Sequence, residues 1–174
     1  SYACSKMVDE FLALAYHDQF GLPAIICRFF NTVGVRQTGE YGMVVPRFVR
    51  RALRGQELEI YGSGNQSRCF CNVLDVVDAL ARLIECDGAI GQVINVGTTE
   101  ACSVNQLADR IINLSGSKSS KLYLTYEEAY GRPFDDMLVR VPDLTKIQSL
   151  IGYKPTYTLE DTLRQVVEYE RSRL

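Results

Sequence analysis

The chain has a single histidine, His17, and its six cysteines are not arranged as metal ligands. Cys69 and Cys71 form a C-x-C pair in a strand-like segment, and no second cysteine or histidine pair completes a zinc site. The other cysteines are scattered through apolar patterns, in a chain that is not small enough to need disulfides. The sequence therefore predicts no metal site and indicates reduced, mostly buried thiols in a cytoplasmic protein.

Long apolar runs and an excess of one charge are also missing. No apolar run approaches the length that crosses a bilayer, and 19 basic against 21 acidic side chains give a formal net charge of -2. This balance predicts neither a nucleic-acid partner nor a membrane partner. Hydrophobic residues make up 47 % of the 174 residues, which is enough for one domain with a buried core.

The first fifty residues show the pattern of an α/β fold. Apolar spacing predicts an amphipathic helix from Tyr2 to about Phe20, and Gly21 and Pro23 follow as termination signals. The next segment, PAIICRFFN, is apolar on both faces, which is typical of a strand in a parallel sheet. TVGVRQTGEYG is predicted to be a loop, and VVPRFVRRALRG a helix with Pro46 in its first turn.

The rest of the chain continues in the same manner. ELEIYGSGNQSRCFCNVLD predicts two short strands around a turn at residues 62–65, and GQVINVG predicts another buried strand. The segment from SGSKSS to DDMLVR is predicted to be a long loop with one strand. Polar residues are expected to cap four helices: Asp75, Ser103 with Gln106, Asp143, and Thr158 with Asp161.

Tyr2 and Lys6 are four residues apart, so they share one face of the first helix. An ammonium group close to a phenol favours the phenolate, which makes the phenol a usable general acid or base. Lysine N–H groups can also donate to sugar hydroxyls. On spacing alone, an ordinary solvated helix face is the favoured interpretation, because Tyr and Lys four residues apart are common on helices.

Four motifs in this order, YACSK, RFFNTVGVRQ, GSGNQSRCF and LVRVPD, resemble the second half of the extended short-chain dehydrogenase/reductase family. Within that family they are similar to nucleotide-sugar epimerases, dehydratases and decarboxylases. The resemblance implies the C-terminal part of a Rossmann-like doubly wound parallel sheet plus a small α/β substrate-binding domain. In this single α/β unit, residues 1–34 would be the sheet remnant and 35–174 mainly the nucleotide-sugar-binding region, with a returning Rossmann-type strand near 92–97.

The resemblance implies catalytic and cofactor roles for four residues. In the family, the tyrosine of Tyr-x-x-x-Lys exchanges a proton with the sugar hydroxyl while NAD takes or returns a hydride. The lysine holds the nicotinamide ribose. These roles fall on Tyr2 and Lys6, and the residues beside the nicotinamide correspond to Thr32 and Val33.

The resemblance also implies contacts with the nucleotide-sugar. They fall on Asn31 for the diphosphate, on Arg68 and Arg140 for phosphate or ribose, and on Pro46, Arg47 and Tyr61 along the base. Guanidinium groups suit a diphosphate because their planar forks match two oxygens at once. From the residues alone, Asn31 could instead cap a turn, and either arginine of the phosphate pair could form a surface ion pair.

RCFCNV and FDDMLVRVPD look most like the UDP-glucose 4-epimerase branch. The resemblance thus implies the substrate-binding half of an NAD-dependent UDP-hexose 4-epimerase with transient oxidation at C4. A UDP-glucuronate decarboxylase or an NDP-sugar 4,6-dehydratase is the alternative, since both share this first step. Two departures stand out: Gly34-Val35-Arg36 replaces the family's Gly-Pro-Arg, and Cys69 replaces the aspartate that usually follows the arginine.

In the family, a glycine-rich phosphate loop, an acidic NAD-selecting residue and a catalytic Ser/Thr precede the tyrosine. The sequence contains none of them, so we expect the N-terminal dinucleotide-binding half to be missing. We also expect this chain alone to bind NAD weakly or not at all and to be inactive. The alternative is a truncated nucleotide-sugar-binding or assembly module. Family members commonly dimerise through this helix, which implies a homodimer through Tyr2–Phe20.

Overall fold

The structure, a computed structural model, describes residues 2–39, 43–131 and 137–174. Residues 40–42 of the predicted glycine loop and residues 132–136, which include the start of FDDMLVRVPD, lie outside the described residues. The described helices are α1 (Tyr2–Phe20), α2 (Val44–Leu53), α3 (Val73–Ile84), α4 (Val104–Ser115), α5 (Tyr126–Tyr130), α6 (Thr145–Ile151) and α7 (Leu159–Arg171). The described strands are β1 (Ile26–Phe29), β2 (Thr32–Val33), β3 (Leu58–Tyr61), β4 (Ser67–Cys69), β5 (Cys71–Asn72), β6 (Val93–Val96), β7 (Ala101–Ser103), β8 (Lys121–Leu124) and β9 (Val139–Arg140).

Parallel strand pairs dominate the sheet structure, as expected for the α/β class. Strand β1 pairs with β6, β2 with β5 and β3 with β8, all in parallel. Strand β6 is the buried strand predicted near 92–97. In the fourth sheet, which has three strands, β4 lies between β7, which runs antiparallel to it, and β9, which runs parallel.

The turn predicted at residues 62–65 does lie between two strands, but it does not make them partners. Strand β3 pairs with β8, and β4 pairs with β7 and β9. The segment after α4 is also more regular than predicted, since it contains β8, α5 and β9. The reason is that the strands in both segments pair with strands that are distant in the sequence. No local turn pattern determines such pairing.

Two clusters of buried side chains form the core. The first lies between helices α2, α4 and α7 and strand β3, and it includes Phe48, Ile60, Leu107 and Leu163, each 0 % exposed. The second lies around β6, α3 and α6 and includes Leu83, Ile94 and Ile147. Helix α1 belongs to neither cluster, for it has no buried residue. The amphipathic face predicted for α1 is therefore not covered within the described part of the chain.

Two of the four predicted helix caps are correct, and those of α3 and α6 differ. The N-cap of α6 is Leu144 rather than Asp143, although the Asp143 carboxylate accepts from the Thr145 amide at 2.8 Å. Ser103 with Gln106 and Thr158 with Asp161 form the expected capping boxes. The expectation for Asp75 is wrong, because Asn72 is the N-cap of α3 and its side chain accepts from the Leu74 amide at 2.9 Å.

Candidate functional site

Helix α1 runs antiparallel to β1. Near its end, His17 packs so closely on Gly91, just before β6, that a side chain at Gly91 would collide with it. Near its middle, the Glu10 carboxylate accepts two hydrogen bonds from Arg28 in β1, at 2.6 and 2.8 Å. Because a helix rises about 1.5 Å per residue, the first turn of α1 lies toward the carboxyl end of β1. That edge is where open α/β sheets bind their ligands.

Tyr2 and Lys6 thus lie toward the carboxyl end of β1, and both are exposed. Tyr2 is 77 % exposed. The Lys6 ammonium donates to Asp9 Oδ2 at 2.6 Å, one turn further along α1. This hydrogen bond and the charge of Asp9 raise the pKa of Lys6, with a further contribution from Tyr2. Lys6 is therefore held as a cation on the same helix as Tyr2.

Asn31 follows β1 in the left-handed region, with φ 42°. Its Nδ2 donates to the Cys69 carbonyl oxygen at 2.8 Å, and its own carbonyl accepts from the Cys71 amide at 3.2 Å. Asn31 therefore joins the end of β1 to the β4–β5 junction, and neither hydrogen bond caps a local turn. A non-glycine residue in this region costs about 1–3 kcal/mol, and such strain is typical of functional sites.

Thr32 and Val33 form β2, directly after Asn31. Val33 is 4 % exposed and packs in the first core cluster. The Oγ1 atom of Thr32 is buried and has no hydrogen-bond partner among the residues described. Since buried hydroxyls are paired in most native structures, this atom fits a polar group of a bound cofactor such as NAD. The ammonium of Lys6 fits a ribose hydroxyl, because it has three N–H donors.

Arg68 and Arg140 are neighbours on two paired strands. Strands β4 and β9 run parallel with Arg68 opposite Arg140, so both side chains leave the same face of the sheet. Arg68 donates to the carbonyl oxygens of Ser67 and Met137, both at 2.8 Å. The guanidinium carbon of Arg140 lies 5.7 Å from the ring centre of Phe30, the residue before Asn31. The structure therefore brings Asn31, Arg68 and Arg140 together, and we call them the arginine–asparagine group.

Pro46, Arg47 and Tyr61 form a second group. Pro46 is buried in the first turn of α2. The next residue, Arg47, donates to the Tyr61 hydroxyl and, at 3.0 Å, to the Glu59 carbonyl oxygen. Its guanidinium carbon lies 4.2 Å from the Tyr61 ring centre. Arg47 and Tyr61, predicted separately from the sequence, are thus in direct contact.

Two parts of this site were not predicted. Phe30, the residue after β1, supports Arg140 of β9, and no short sequence pattern marks such a contact. Helix α5 places Tyr130 against Tyr61, with ring centres 5.4 Å apart. Its start could have been found, because Thr125 and Glu128 have the spacing of a capping box and form one.

The cysteines and acidic residues are candidates for metal ligands, and the cysteines also for reactive thiols. In the described ranges no group of three or more His, Cys, Asp or Glu side chains could hold a metal ion. All six cysteines are free, and Cys69, Cys71 and Cys102 are buried. Burial raises the pKa of these three thiols, which makes them less reactive.

The family model described as GDP-mannose 4,6 dehydratase matches residues 1–166. This chain belongs to that family. It is a member of the extended short-chain dehydrogenases/reductases that act as NAD-dependent epimerases and dehydratases, as the four motifs indicated. Within the described ranges, this family member has no helix that is long and apolar enough to cross a membrane.

Individual members of the family share both sequence and fold with this chain. UDP-N-acetyl-alpha-D-glucosaminuronate decarboxylase from Bacillus cytotoxicus is 36 % identical over 172 residues, which are 98 % of this chain and 53 % of the relative. UDP-glucose 4-epimerase from Thermotoga maritima, solved with UDP-glucose, has a TM-score of 0.89 and 30 % identity over 99 % of this chain and 53 % of its own. UDP-glucuronic acid 4-epimerase from Bacillus cereus, solved with NAD, has a TM-score of 0.86 and 28 % identity, covering 99 % and 52 %.

This family member therefore spans about half the length of the relatives it matches. The fold prediction is confirmed, because the neighbours superpose over almost the whole chain as the Rossmann-like epimerase fold. The family prediction is confirmed as well. The roles of individual site residues stay predictions.

Proposed function

We propose that this chain is the nucleotide-sugar-binding half of an NAD-dependent enzyme that oxidises a UDP-sugar at C4, of the UDP-hexose 4-epimerase type. The observation that carries the proposal is the register of Arg68 opposite Arg140, beside Asn31. Guanidinium groups that leave the same face of a sheet can share the oxygens of one diphosphate, which would accept hydrogen bonds from both of them.

Tyr2 and Lys6 would act at the other end of the substrate, at the carboxyl edge of β1. Tyr2 takes the proton of the sugar hydroxyl and later returns it. Lys6, held as a cation by Asp9, favours the phenolate by its charge and donates to the cofactor ribose. A bound NAD would supply the hydride acceptor for the oxidation at C4 and the hydride donor for its reversal. Thr32 Oγ1 and the backbone beside Val33 would line its nicotinamide, whereas the sequence contains no glycine-rich loop for its pyrophosphate.

Arg47, Pro46 and Tyr61 would bind the nucleotide base. Arg47 covers the Tyr61 ring and is itself anchored to β3 through the Glu59 carbonyl. This group lies at the end of β3 and the start of α2, and the sugar diphosphate would extend from it to the arginine–asparagine group.

A UDP-uronate decarboxylase is the second candidate, and one specific observation favours it. The relative from Bacillus cytotoxicus, 36 % identical, is a UDP-sugar decarboxylase. Both candidates begin with oxidation at C4, so they share the roles of Tyr2 and Lys6. They differ in the step that follows this oxidation. An epimerase returns the hydride to the other face of C4, whereas a decarboxylase first releases carbon dioxide from the oxidised uronate.

The binding proposal is tested by titrating the chain with UDP-glucose while amide NMR shifts are recorded. We expect shifts at Asn31, Arg68 and Arg140, and at least a tenfold higher Kd for Arg140→Gln. The matched control is Arg164→Gln, which removes an exposed arginine that is ion-paired with Glu160 on α7 and should not alter the Kd. Unchanged shifts at both site arginines would rule out the proposal.

The catalytic proposal is tested in the enzyme that contains this chain. Tyr2→Phe removes the proton-transferring hydroxyl, so we expect a loss of kcat of about 100-fold or more. Assays with UDP-glucose and with UDP-glucuronate separate the epimerase from the decarboxylase by their products. Near-native turnover of the Tyr2→Phe enzyme would show that the acid/base assignment is wrong.

A homodimer through α1 is also proposed. Its support is the exposed apolar surface of this helix, where Met7 is 54 %, Val8 62 % and Phe11 66 % exposed. Large exposed apolar patches typically mark interaction sites. Sedimentation velocity should show a dimer that Phe11→Glu dissociates, and a native monomer at high concentration would argue against this interface.

The six free thiols are consistent with a reducing, cytoplasmic location.

A further inference from the structure

Four side chains from three separate elements form one cluster at the end of β3, and we call it the aromatic cluster: Arg47, Tyr61, Tyr126 and Tyr130. The Arg47 guanidinium lies over the Tyr61 ring at 4.2 Å. Tyr130 meets Tyr61 nearly edge to face, at 5.4 Å and 77°. Tyr126 lies parallel to Tyr130, at 6.2 Å and 9°. The ring of Tyr61 is therefore confined by α2 on one side and by α5 on another.

Helix α5 is too short to be stable by itself, but it is fixed at both ends. The Thr125 hydroxyl accepts from the Glu128 amide at 3.2 Å, and the Glu128 carboxylate accepts from the Thr125 amide at 2.7 Å. Hydrogen bonds from the amide and hydroxyl of Thr125 lower the pKa of Glu128, so the capping carboxylate stays ionised. Gly131 closes the helix in the left-handed conformation.

The backbone after β3 is shaped to let α5 approach. Strands β3 and β8 pair in parallel with Tyr61 opposite Leu124, so Gly62 and α5 leave the sheet at the same edge. The Gly62 amide donates to the Leu124 carbonyl oxygen at 2.8 Å. A side chain at Gly62 would lie 2.8 Å from the Tyr126 ring, in a residue with φ +70°. Glycine is therefore required here by both the conformation and the close contact.

We propose that α5 forms part of the nucleobase-binding site and that Tyr130 is a positioning residue that holds the Tyr61 ring for stacking. The inference rests on the proposed function, which assigns the base to Arg47 and Tyr61. It adds α5, which no motif of the family resemblance includes. The cluster offers aromatic rings and a guanidinium plane, surfaces on which a nucleobase stacks. The Nε donor of Arg47 is buried and has no partner in the described ranges, so the cluster also has a donor that a base carbonyl can accept.

The test separates base binding from diphosphate binding in the 174-residue chain. Kd values are measured by calorimetry for UDP-glucose and for inorganic pyrophosphate, which contains no base. Tyr130→Leu should raise the Kd of UDP-glucose about three- to tenfold, the magnitude of one aromatic pair, and leave the pyrophosphate Kd unchanged. Tyr130→Phe keeps the ring and should bind UDP-glucose within twofold of the native chain.

Two further variants serve as support and control. Thr125→Ala removes the capping box of α5 but leaves all four side chains of the aromatic cluster in place. Because α5 then loses its N-terminal support, the Kd of UDP-glucose should rise in this variant as well. This variant provides the test if Tyr130→Leu does not fold. Tyr123→Leu is the matched control: Tyr123 is 51 % exposed on β8, and its hydroxyl donates to Asn105 outside the cluster. It should alter neither Kd.

The outcomes distinguish the two proposals. If the native chain binds UDP-glucose but Tyr130→Leu leaves that Kd within twofold, or raises both Kd values alike, the role of α5 is wrong and the proposed function stands. The same conclusion follows if UDP-glucose and pyrophosphate bind the native chain equally tightly. If neither molecule binds the native chain, the proposed function fails, and the inference fails with it.

Discussion

At the scale of single residues, the carboxylate of Asp75 shows how one buried group can hold two distant segments. Asp75 is 4 % exposed. Its two oxygens accept from the Thr156 amide at 2.9 Å and the Tyr157 amide at 3.2 Å. Those amides belong to the segment before α7, whereas Asp75 lies in the first turn of α3. The residue therefore fixes where the chain enters its last helix.

Removing this carboxylate leaves two backbone donors without acceptors. We expect Asp75→Ala to lower the free energy of unfolding by about 2–3 kcal/mol, since hydrogen bonds to a charged group are worth more than neutral ones. Asp78→Ala is the control, because Asp78 forms only an exposed ion pair with Arg82 at 3.3 Å and should change stability by less than about 1 kcal/mol. Urea unfolding measures the free energies of unfolding of both variants. Equal losses in the two variants would contradict the structural role assigned to Asp75.

The buried Tyr153 side chain makes the free energy of unfolding depend on pH in the alkaline range. Burial, followed by its hydrogen bond with Cys71, raises the pKa of Tyr153 strongly. Above pH 10 an unfolded tyrosine loses its proton, whereas folded Tyr153 retains it, so stability is lost as the pH rises above 10. Tyr153→Phe cannot titrate. Its free energy of unfolding should therefore fall less steeply between pH 9 and 11 than that of the native chain; parallel slopes would contradict this.

At the scale of elements, α7 shows how a helix start is determined by its own sequence. The Thr158 hydroxyl accepts from the Asp161 amide at 3.1 Å and donates to the Asp161 carboxylate at 2.5 Å. The Thr158 amide donates to the same carboxylate at 3.0 Å. These hydrogen bonds lower the pKa of Asp161. One side of α7 then packs in the first core cluster through Leu159, Leu163, Val166 and Val167.

Thr158→Ala should therefore have two effects. The loss of the N-cap lowers the free energy of unfolding by about 1 kcal/mol. The loss of the hydroxyl donor raises the pKa of Asp161 toward its ordinary value, which an NMR titration of the carboxyl carbon measures. Thr156→Ala, whose side chain is exposed, is the control and should change neither quantity. An unaltered pKa of Asp161 would show that the hydroxyl does not stabilise the carboxylate.

The contrast between α7 and β3 explains how much of the fold could be predicted. Helix ends are determined by residues within one turn, so the boxes at Ser103 and Thr158 were readable from the sequence. Strand partners are not local. The turn Gly62–Asn65 resembles a hairpin signal, yet β3 pairs in parallel with β8, a strand that follows only after α4. Helix α5 is different, because its start is marked by the local capping box of Thr125 and Glu128, although the segment that contains it was predicted to be mostly loop.

The site residues divide in the same way, into features that the local sequence predicts and features that depend on how distant segments pack. Tyr2 and Lys6 were predicted as a pair because four residues make one helical turn. The motifs marked Asn31, Arg68 and Arg140 individually, but only the sheet places Arg68 opposite Arg140. Arg47 and Tyr61 were also assigned one at a time. Their direct contact depends on how α2 packs on β3.

At the scale of the whole molecule, the two core clusters meet at one point of the chain. Phe70 belongs to the first cluster and the next residue, Cys71, belongs to the second. Beside them, Asn72 caps α3 and donates to Thr162 and Gln165 of α7 at 3.1 and 3.0 Å. Buried covalent and hydrogen-bonded links of this kind make it costly for one cluster to open while the other stays closed.

The chain should therefore unfold in one cooperative transition. Leu107→Ala in the first cluster and Ile147→Ala in the second should each lower the free energy of unfolding by about 2–5 kcal/mol. Both should shift the same urea transition, followed by circular dichroism and by tyrosine fluorescence. Val77→Ala, at a position 56 % exposed, is the control with a small effect. Separate midpoints for the two probes would show two independent units.

The strand order also has a consequence for how the chain acquires its structure during synthesis. Ile26 pairs with Val93, Leu58 with Lys121, and Arg68 with Arg140, so the described strands all pair with strands that are not next to them in the sequence. A nascent chain that ends before β6 thus contains β1 and β3 with unpaired edges, which attract other chains. Pairings of such high contact order form slowly. We therefore expect each sheet to close only after its later strand has left the ribosome, with chaperone binding concentrated on incomplete chains.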